Sequence, residues 1–218
     1  MDIKENIKTL IVKKELKLDC GQVINNFPLA YETYGSLNEK KDNAILVCHA
    51  LTGDQFVTGL NPITKKEGWW SYAVGPKKSI DTNKYFVICV NVIGGCMGSF
   101  GPSHMNPKTK KVYGIDFPVI TINDIVNAQI NLLDHFGIEK LFSVIGGSMG
   151  GMQVLQFASN FPDRVKTVVP IACTSNHSAQ NIALNELGRQ AITADHNWMA
   201  GEYLSKNVAP NKGLSVAR

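Results

Sequence analysis

The sequence predicts an α/β fold in which helices flank a doubly wound, mostly parallel sheet. Short apolar runs without polar alternation recur along the chain, and such runs are typical of strands that are covered on both faces. Segments with helical periodicity separate the later runs, so consecutive parallel strands are expected to be joined by crossover helices. The 218 residues are enough for one domain, or for one domain and part of a second.

The first third of the chain is predicted to be β structure. We expect a strand over residues 9–18, a turn at Cys20-Gly21 and a second strand over residues 27–34. Residues 44–48 and 85–90 are nearly continuous apolar runs, and both are predicted to be buried strands of the parallel sheet.

The middle of the chain alternates between helix and strand. From Thr121 the apolar residues recur at the helical period, and Thr121 with Asp124 has the spacing of a capping box. Residues 141–145 are the next predicted strand, and the helix after it ends at Phe161. Residues 165–171 form a further strand, and a sheet that stops there leaves an apolar edge uncovered.

Beyond residue 173 the sequence becomes polar and helix-forming. We predict a helix over residues 179–194 and another that begins after Pro210. This part is interpreted as the start of a helical insertion rather than another strand. The predicted domains are therefore a core over residues 1–175 and the beginning of a helical lid over residues 176–218.

Composition argues against several functional classes. The 22 basic and 18 acidic residues are spread along the chain, so nucleic-acid binding is not indicated. Residues 1–8 carry charges of both signs, which argues against a secretory signal peptide, and no segment is apolar enough to span a membrane. The five cysteines are odd in number and lack a C-x-x-C pair, so we expect a reducing cytoplasm and no metal site.

The strongest motif is Gly146-x-Ser148-x-Gly150, which stands between a predicted buried strand and a helix. A serine at the tip of so sharp a turn has strained backbone angles, and side chains at positions 146 and 150 would clash with the crossing elements. Ser148 is therefore the candidate nucleophile, and the N–H of Met149 at the helix start is a candidate oxyanion donor. The alternative is a tight strand-to-helix turn whose glycines serve packing only.

A second oxyanion donor is expected from the loop after the strand at residues 44–48. That loop comprises residues 49–54, and the backbone N–H of Leu51 is the candidate. His49 opens the loop directly at the strand end. We expect it to fix the loop rather than to take part in catalysis.

A serine nucleophile needs a histidine base and an orienting carboxylate, which in this arrangement follow the serine in the order acid, then histidine. Only His177 and His196 come after Ser148, together with Asp163 and Asp195. These residues precede any further strand, so we expect them to be surface or capping residues. The acid and the histidine are then expected in a C-terminal portion beyond this sequence, which makes the chain an N-terminal fragment.

Several segments together resemble the homoserine O-acetyltransferases, a family of α/β-hydrolase-fold enzymes in methionine biosynthesis. The resemblance covers nearly the whole chain. Its distinctive part is the glycine-rich loop over residues 94–101, which departs from a nucleotide-binding G-x-G-x-x-G spacing and is expected to wall the substrate pocket. The matching segments are Tyr31-Glu32-Thr33-Tyr34-Gly35, residues 49–54, Gly68-Trp69-Trp70, residues 91–99 and residues 146–151.

The resemblance implies a specific reaction. Ser148 would take an acetyl group from acetyl-CoA, a co-substrate rather than a bound cofactor, and pass it to the side-chain hydroxyl of L-homoserine. Gly213-Leu214-x-x-Ala217-Arg218 resembles the family's motif for the amino acid's carboxylate, so Arg218 is the expected ligand and Arg189 the lesser candidate. The resemblance further implies a cytoplasmic homodimer in the full-length protein.

Two other readings stay open at this stage. A serine esterase or thioesterase would use the same elbow with water as the acceptor. A non-catalytic fragment that lacks the acid and the histidine would serve only as a binding or structural module. Nothing in the residues themselves separates acetyl from succinyl donors, or homoserine from serine acceptors.

Overall fold

The computed structural model describes residues 7–218, which fall into two compact units. The described residues up to Gly101 form the first unit together with Pro118–Thr174. Pro102–Phe117 and Ser175–Arg218 form the second unit. The predicted core domain, residues 1–175, included residues 102–117. In the structure that segment belongs instead to the second unit, together with residues 175–218.

The first unit holds ten strands and two α-helices. A short 3-10 helix, Pro162–Arg164, follows the second α-helix. The strands are β1 (Lys8–Val12), β2 (Leu16–Lys17), β3 (Val23–Ile24), β4 (Phe27–Tyr34), β5 (Ala44–Cys48), β6 (Val74–Gly75), β7 (Ile80–Asp81), β8 (Phe86–Val90), β9 (Leu141–Gly147) and β10 (Val165–Ile171), and the helices are α1 (Ile122–Phe136) and α2 (Met149–Asn160).

Six of these strands form one sheet in the order β1-β4-β8-β5-β9-β10. The four strands β8, β5, β9 and β10 are mutually parallel, while β4 runs antiparallel to both of its neighbours. All five residues of β5 and of β8 are buried, as expected for strands covered on both faces. The prediction of a doubly wound, mostly parallel sheet is confirmed.

One predicted element is wrong in its extent. The strand expected over residues 9–18 ends at Val12, where β1 leaves its partner β4, and β2 belongs to a separate two-stranded sheet with β3. The charged run Lys13-Lys14-Glu15 is exposed at this break, whereas Leu16 is buried. The chain turns there because one straight strand could not bury Leu16 and also keep all three charged side chains in water.

Helix α1 shows how local sequence fixes an element. The capping box is complete: the Asp124 N–H donates to Thr121 Oγ1 at 3.2 Å, and the Thr121 N–H donates to Asp124 Oδ2 at 2.9 Å. The helix ends at Gly137, whose φ of 65° lies in the left-handed region that glycine adopts without strain. Ile125, Val126, Leu132 and Leu133 lie on its buried face.

Strand β10 is an edge strand of the sheet, since β9 is its one partner among the described strands. Val168, Val169 and Ile171 are each about two-fifths exposed, at 38%, 40% and 39%. The apolar edge that the sequence predicted is therefore present in this chain.

The second unit is helical. It contains α3 (Ala179–Thr193), α4 (Asn211–Ala217) and two short 3-10 segments, Gly114–Asp116 and His196–Gly201. Asp195 ties the 3-10 segment His196–Gly201 to α4, because its carboxylate accepts the backbone N–H of Asn197 and that of Gly213, each at 2.8 Å. None of the helices in the described part of the chain has the length and apolar character needed to cross a membrane.

Candidate active site

The turn between β9 and α2 presents Ser148 in a strained conformation. Its φ is 56° and its ψ is −122°, a region that residues other than glycine rarely occupy. The residue is exposed, and its N–H donates to the Ile171 carbonyl at 3.0 Å. This is the geometry expected of a nucleophile elbow, in which tertiary contacts hold the serine out of the sheet.

The glycines around Ser148 are required by close packing. A Cβ at Gly150 would lie 2.1 Å from the Cys48 carbonyl oxygen, and one at Gly146 would lie 2.6 Å from the backbone of Gly150. A Cβ at Gly151 would lie 2.7 Å from Cys173. These distances are shorter than atoms tolerate, so the predicted clash at positions 146 and 150 is confirmed.

The start of α2 leaves hydrogen-bonding groups available next to the serine. Although Ser148 is the N-cap residue, its side chain makes no capping hydrogen bond, so the hydroxyl is not engaged by its own helix. Met149 is the first helical residue, and N–H groups in a first turn lack partners within the helix and carry partial positive charge. An anion that develops near Ser148 would therefore meet a favourable field.

The loop over residues 49–54 lies beside the elbow because β5 and β9 are adjacent and parallel, with Cys48 opposite Gly146. Leu51 is 73% exposed, and no acceptor in the described part of the chain takes its N–H. The loop is closed by a hydrogen bond from the Gly53 N–H to the Ala50 carbonyl at 2.9 Å. That the Leu51 and Met149 N–H groups converge on one oxyanion stays a prediction.

His49 fixes this loop, as expected. The residue is buried, and its Nδ1 lies 2.8 Å from the Ala50 carbonyl oxygen. Its Nε2 accepts the backbone N–H of Val92 at 3.1 Å and lies 3.4 Å from the side-chain amide nitrogen, Nδ2, of Asn91. Burial lowers the pKa of the imidazole, which favours the neutral ring. The proton of the neutral ring is assigned to Nδ1, because Nε2 accepts the Val92 N–H and Nδ1 faces a carbonyl oxygen. Both nitrogens are engaged, and neither is free to activate Ser148.

The loop over residues 94–101 is held by a second set of buried polar groups. Asn91 Oδ1 accepts the Met97 N–H at 3.2 Å, and the Met97 carbonyl accepts the side-chain amide of Gln55 at 2.9 Å. Ser99 donates to the Asn91 carbonyl and accepts the Ala30 N–H. The segment forms no helix, in line with its interpretation as a structural loop.

The histidines and acids that follow the elbow lie at surface or capping positions. Hydrogen bonds from the Gly213 and Asn197 N–H groups lower the pKa of Asp195. His196 and Asp163 are exposed, and His177 Nδ1 lies 3.5 Å from the amide of Asn185. Among the described residues, no side chain forms a hydrogen bond with the Ser148 hydroxyl. The described residues thus hold a candidate nucleophile and candidate donors without a base in contact with Ser148.

The two candidate arginines differ in their surroundings within the second unit. Arg189 is paired with Glu186, with 2.6 Å between Arg189 Nη2 and Glu186 Oε2, and this pair is exposed. Arg218 follows α4 and is exposed. Gly213, which opens the motif of Arg218, packs so closely that a Cβ there would lie 2.3 Å from the Ala191 carbonyl oxygen. The role of Arg218 as a carboxylate ligand stays a prediction.

Sequence reasoning missed the buried glutamines behind the site. Gln153 on α2 and Gln129 on α1 are 0% and 1% exposed, and their side chains hydrogen-bond to each other at 2.8 Å. The available signal was a polar residue at helical spacing from Gly150 and Phe157, both of which are buried. A polar side chain on an otherwise apolar helix face has to find a partner in the interior.

Fold and site together define the class. Residues 43–217 match the family model of the alpha/beta hydrolase fold, and the chain belongs to that family. Over its whole length the chain is 73% identical to a homoserine O-acetyltransferase of Pelagibacter ubique, and it spans 59% of that relative. The resemblance to homoserine O-acetyltransferases is thereby confirmed.

Solved structures agree with this placement. A homoserine O-acetyltransferase from Bacillus anthracis superimposes with a TM-score of 0.86 at 34% identity, over 97% of this chain and 58% of that one. Esterase E22 superimposes with a TM-score of 0.85 at 35% identity, over 97% of this chain and 59% of that one. The chain therefore spans less than two thirds of each of these relatives.

Proposed function

We propose that the whole protein is an acyltransferase that moves an acetyl group from acetyl-CoA through Ser148 to the hydroxyl of L-homoserine, a reaction of methionine biosynthesis. The observation that carries this proposal is the strained, exposed and uncapped Ser148 at the start of α2. The 73% identity to a homoserine O-acetyltransferase supports the choice of donor and acceptor.

The chemistry follows from that geometry. The Ser148 oxygen attacks the thioester carbonyl, and the negative charge that develops on the carbonyl oxygen is stabilised by backbone N–H donors, which we assign to Met149 and Leu51. The C–S bond breaks, CoA leaves as the thiol, and an acetyl-serine ester remains. The homoserine hydroxyl then attacks this ester, which returns the serine hydroxyl and releases O-acetylhomoserine. No metal or bound cofactor is needed for either step.

Both steps need a base, which passes the serine proton to the leaving CoA sulfur in the first step and the homoserine hydroxyl proton to the leaving serine oxygen in the second. No such base contacts Ser148 among the described residues. We therefore propose that the histidine and its carboxylate lie in the part of the full-length protein that corresponds to the rest of these relatives. Activity is accordingly expected of the full-length protein.

Arg218 is our candidate for the acceptor's carboxylate. A planar guanidinium binds a carboxylate through two parallel hydrogen bonds, and a lysine cannot reproduce that geometry. We further propose a cytoplasmic homodimer. The five cysteines are all free thiols, which supports a reducing compartment, and sedimentation of the full-length protein tests the dimer.

An acetyl-transfer assay tests the proposal directly. Full-length protein mixed with acetyl-CoA should release about one equivalent of CoA per active site, and turnover should then depend on added L-homoserine. Ser148→Ala is the matched control, and it should give neither the initial release nor the turnover. Labelled acetyl that still attached to the Ser148→Ala protein would contradict the assignment of the nucleophile.

The runner-up function is a serine esterase, and the close superposition on esterase E22 is the observation that favours it. The nucleophile elbow and the backbone N–H donors would be the same, and water would accept the acetyl group in place of homoserine. Steady CoA release that is independent of homoserine, with no O-acetylhomoserine formed, would favour this alternative.

A further inference from the structure

The predicted oxyanion donors lie on two different segments, the loop over residues 49–54 and the first turn of α2. One side chain bonds to both. The Nε2 of Gln153 donates to the His49 carbonyl at 3.1 Å and lies 3.4 Å from the Met149 carbonyl. We infer that Gln153 is a positioning residue that holds the loop against the elbow, an inference that rests on the proposed function.

The orientation of this amide is fixed by its surroundings. Its Oε1 accepts the side-chain N–H of Gln129 at 2.8 Å, and its nitrogen faces two carbonyl oxygens that can only accept. A flipped amide would set its oxygen against both carbonyls and its nitrogen against a donor.

The two carbonyls are close to the predicted donors along the chain. The His49 carbonyl is separated from the Leu51 N–H by one residue, and the Met149 carbonyl belongs to the residue whose N–H is the other donor. A shift of the Gln153 amide therefore moves one donor relative to the other. Displacements of about 1 Å in such a site can cost about 100-fold in rate.

Packing alone does not account for a glutamine here. Gln153 is fully buried, and the neighbouring Val154 and Phe157 on α2 are apolar, so a methionine would fill about the same volume without an amide group to desolvate at position 153. The ring of His49 already ties the loop to the end of β8 through the Val92 N–H. The hydrogen bond from Gln153 to the His49 carbonyl ties the same loop to α2, the helix that begins beside Ser148.

The test uses full-length protein and p-nitrophenyl acetate, an activated ester that acylates the serine without CoA or homoserine. In Gln153→Met, which keeps the volume and loses the hydrogen bonds, the rate of acetyl-enzyme formation should fall about 10- to 100-fold, while KM for the ester changes less than about threefold. Leu132→Ala is the control: it removes buried volume from α1 and should lower stability while leaving the acylation rate of the folded protein unchanged.

Gln153→Glu provides a second measurement, the pH dependence of the acylation rate. A purely structural role of Gln153 would leave that pH dependence unchanged. A buried carboxyl has a raised pKa, and its protonated form can donate to the His49 carbonyl while accepting from Gln129. Its acylation rate relative to the unmodified protein should approach unity at low pH and fall as the carboxyl ionises. This variant decides the question if Gln153→Met does not fold.

The outcomes are distinct. If unmodified full-length protein forms no acetyl-serine, the proposed function and the positioning role both fail. If it forms acetyl-serine, and the Gln153 variants do so at its rate across the pH range, the positioning role alone is overturned. Slower acylation in Gln153→Met, with a pH-dependent recovery in Gln153→Glu, establishes it.

Discussion

At the scale of single residues, Ser148 shows how tertiary contacts hold a side chain where local preference would not. A serine at a helix N-cap ordinarily has an extended backbone and caps the first turn. Here φ is positive and the cap is absent, because the backbone hydrogen bond to Ile171 and the close approach of Gly150 to Cys48 constrain the turn. The strain leaves the hydroxyl exposed for chemistry.

This strain can be measured by comparing two variants that both lack the hydroxyl. Ser148→Gly should be more stable to unfolding than Ser148→Ala by about 1 kcal/mol, since glycine adopts the positive φ without a steric penalty. Urea denaturation of both proteins gives the difference. Equal midpoints would mean that the turn is not strained at this residue.

The glycines offer a matched pair for the packing argument. A Cβ at Gly150 would lie 2.1 Å from the Cys48 carbonyl oxygen, whereas one at Gly147 would lie 3.9 Å from its nearest neighbour, the Ile171 carbonyl oxygen. We expect Gly150→Ala to lower the free energy of unfolding by about 3 kcal/mol or more and Gly147→Ala by less than about 1 kcal/mol. Thermal denaturation of the two variants tests this order, and similar melting temperatures would contradict it.

His49 predicts a pH dependence of stability. Burial lowers its pKa below the ordinary value of 6.5, so the unfolded chain binds this proton more readily than the folded one. The stability that neutral His49 provides is present above pH 6.5 and is lost as the pH falls through the folded pKa. Urea midpoints between pH 5 and pH 8 should fall more steeply on acidification for the unmodified protein than for His49→Gln. Parallel pH profiles would show that His49 is not the group responsible.

At the scale of elements, the helices begin and end where their local sequence indicates. The Thr121 and Asp124 capping box and Gly137 bracket α1. Strand β1 is the exception: the predicted strand continued to residue 18, but the charged run at residues 13–15 ends the pairing at Val12. Alternation and propensity are short-range signals, and they do not report which sheet a strand joins.

The cap of α1 does more than start the helix. Asp124 is fully buried and also accepts the backbone N–H of Asp19 at 2.9 Å, so it holds the turn around Cys20. Asp124→Ala should cost about 2 to 4 kcal/mol of unfolding free energy, because two partly buried N–H groups, those of Asp19 and Thr121, lose their acceptor. Asp134→Ala on the same helix, which breaks an exposed pair with Arg164, should cost less than about 1 kcal/mol. Urea denaturation compares them, and equal costs would refute the double role of Asp124.

At the scale of the whole molecule, the sheet of this chain has an exposed apolar edge at β10. Val168, Val169 and Ile171 are partly exposed next to unpaired backbone groups, a combination that favours edge-to-edge association. The 218-residue chain by itself is therefore expected to self-associate at micromolar concentration. Val169→Lys should reduce that association, as measured by light scattering. A monodisperse monomer for the unmodified chain would contradict the expectation.

The sequence by itself determined the fold class and the position of the strained turn that carries the candidate nucleophile. Buried strands, helix caps and the G-x-S-x-G turn are written in contiguous residues, because each depends on chemistry within a few positions of the chain. Ser148 is accordingly recognisable from the sequence as the candidate nucleophile.

Only the tertiary structure decided what connects distant segments. The ties from Gln153 to His49, from His49 to Val92 and from Asp124 to Asp19 join residues separated by 104, 43 and 105 positions. The departure of β2 from the main sheet and the grouping of residues 102–117 with the helical unit are of the same kind. Such contacts depend on which elements pack against each other in the folded core, and local sequence patterns do not specify those neighbours.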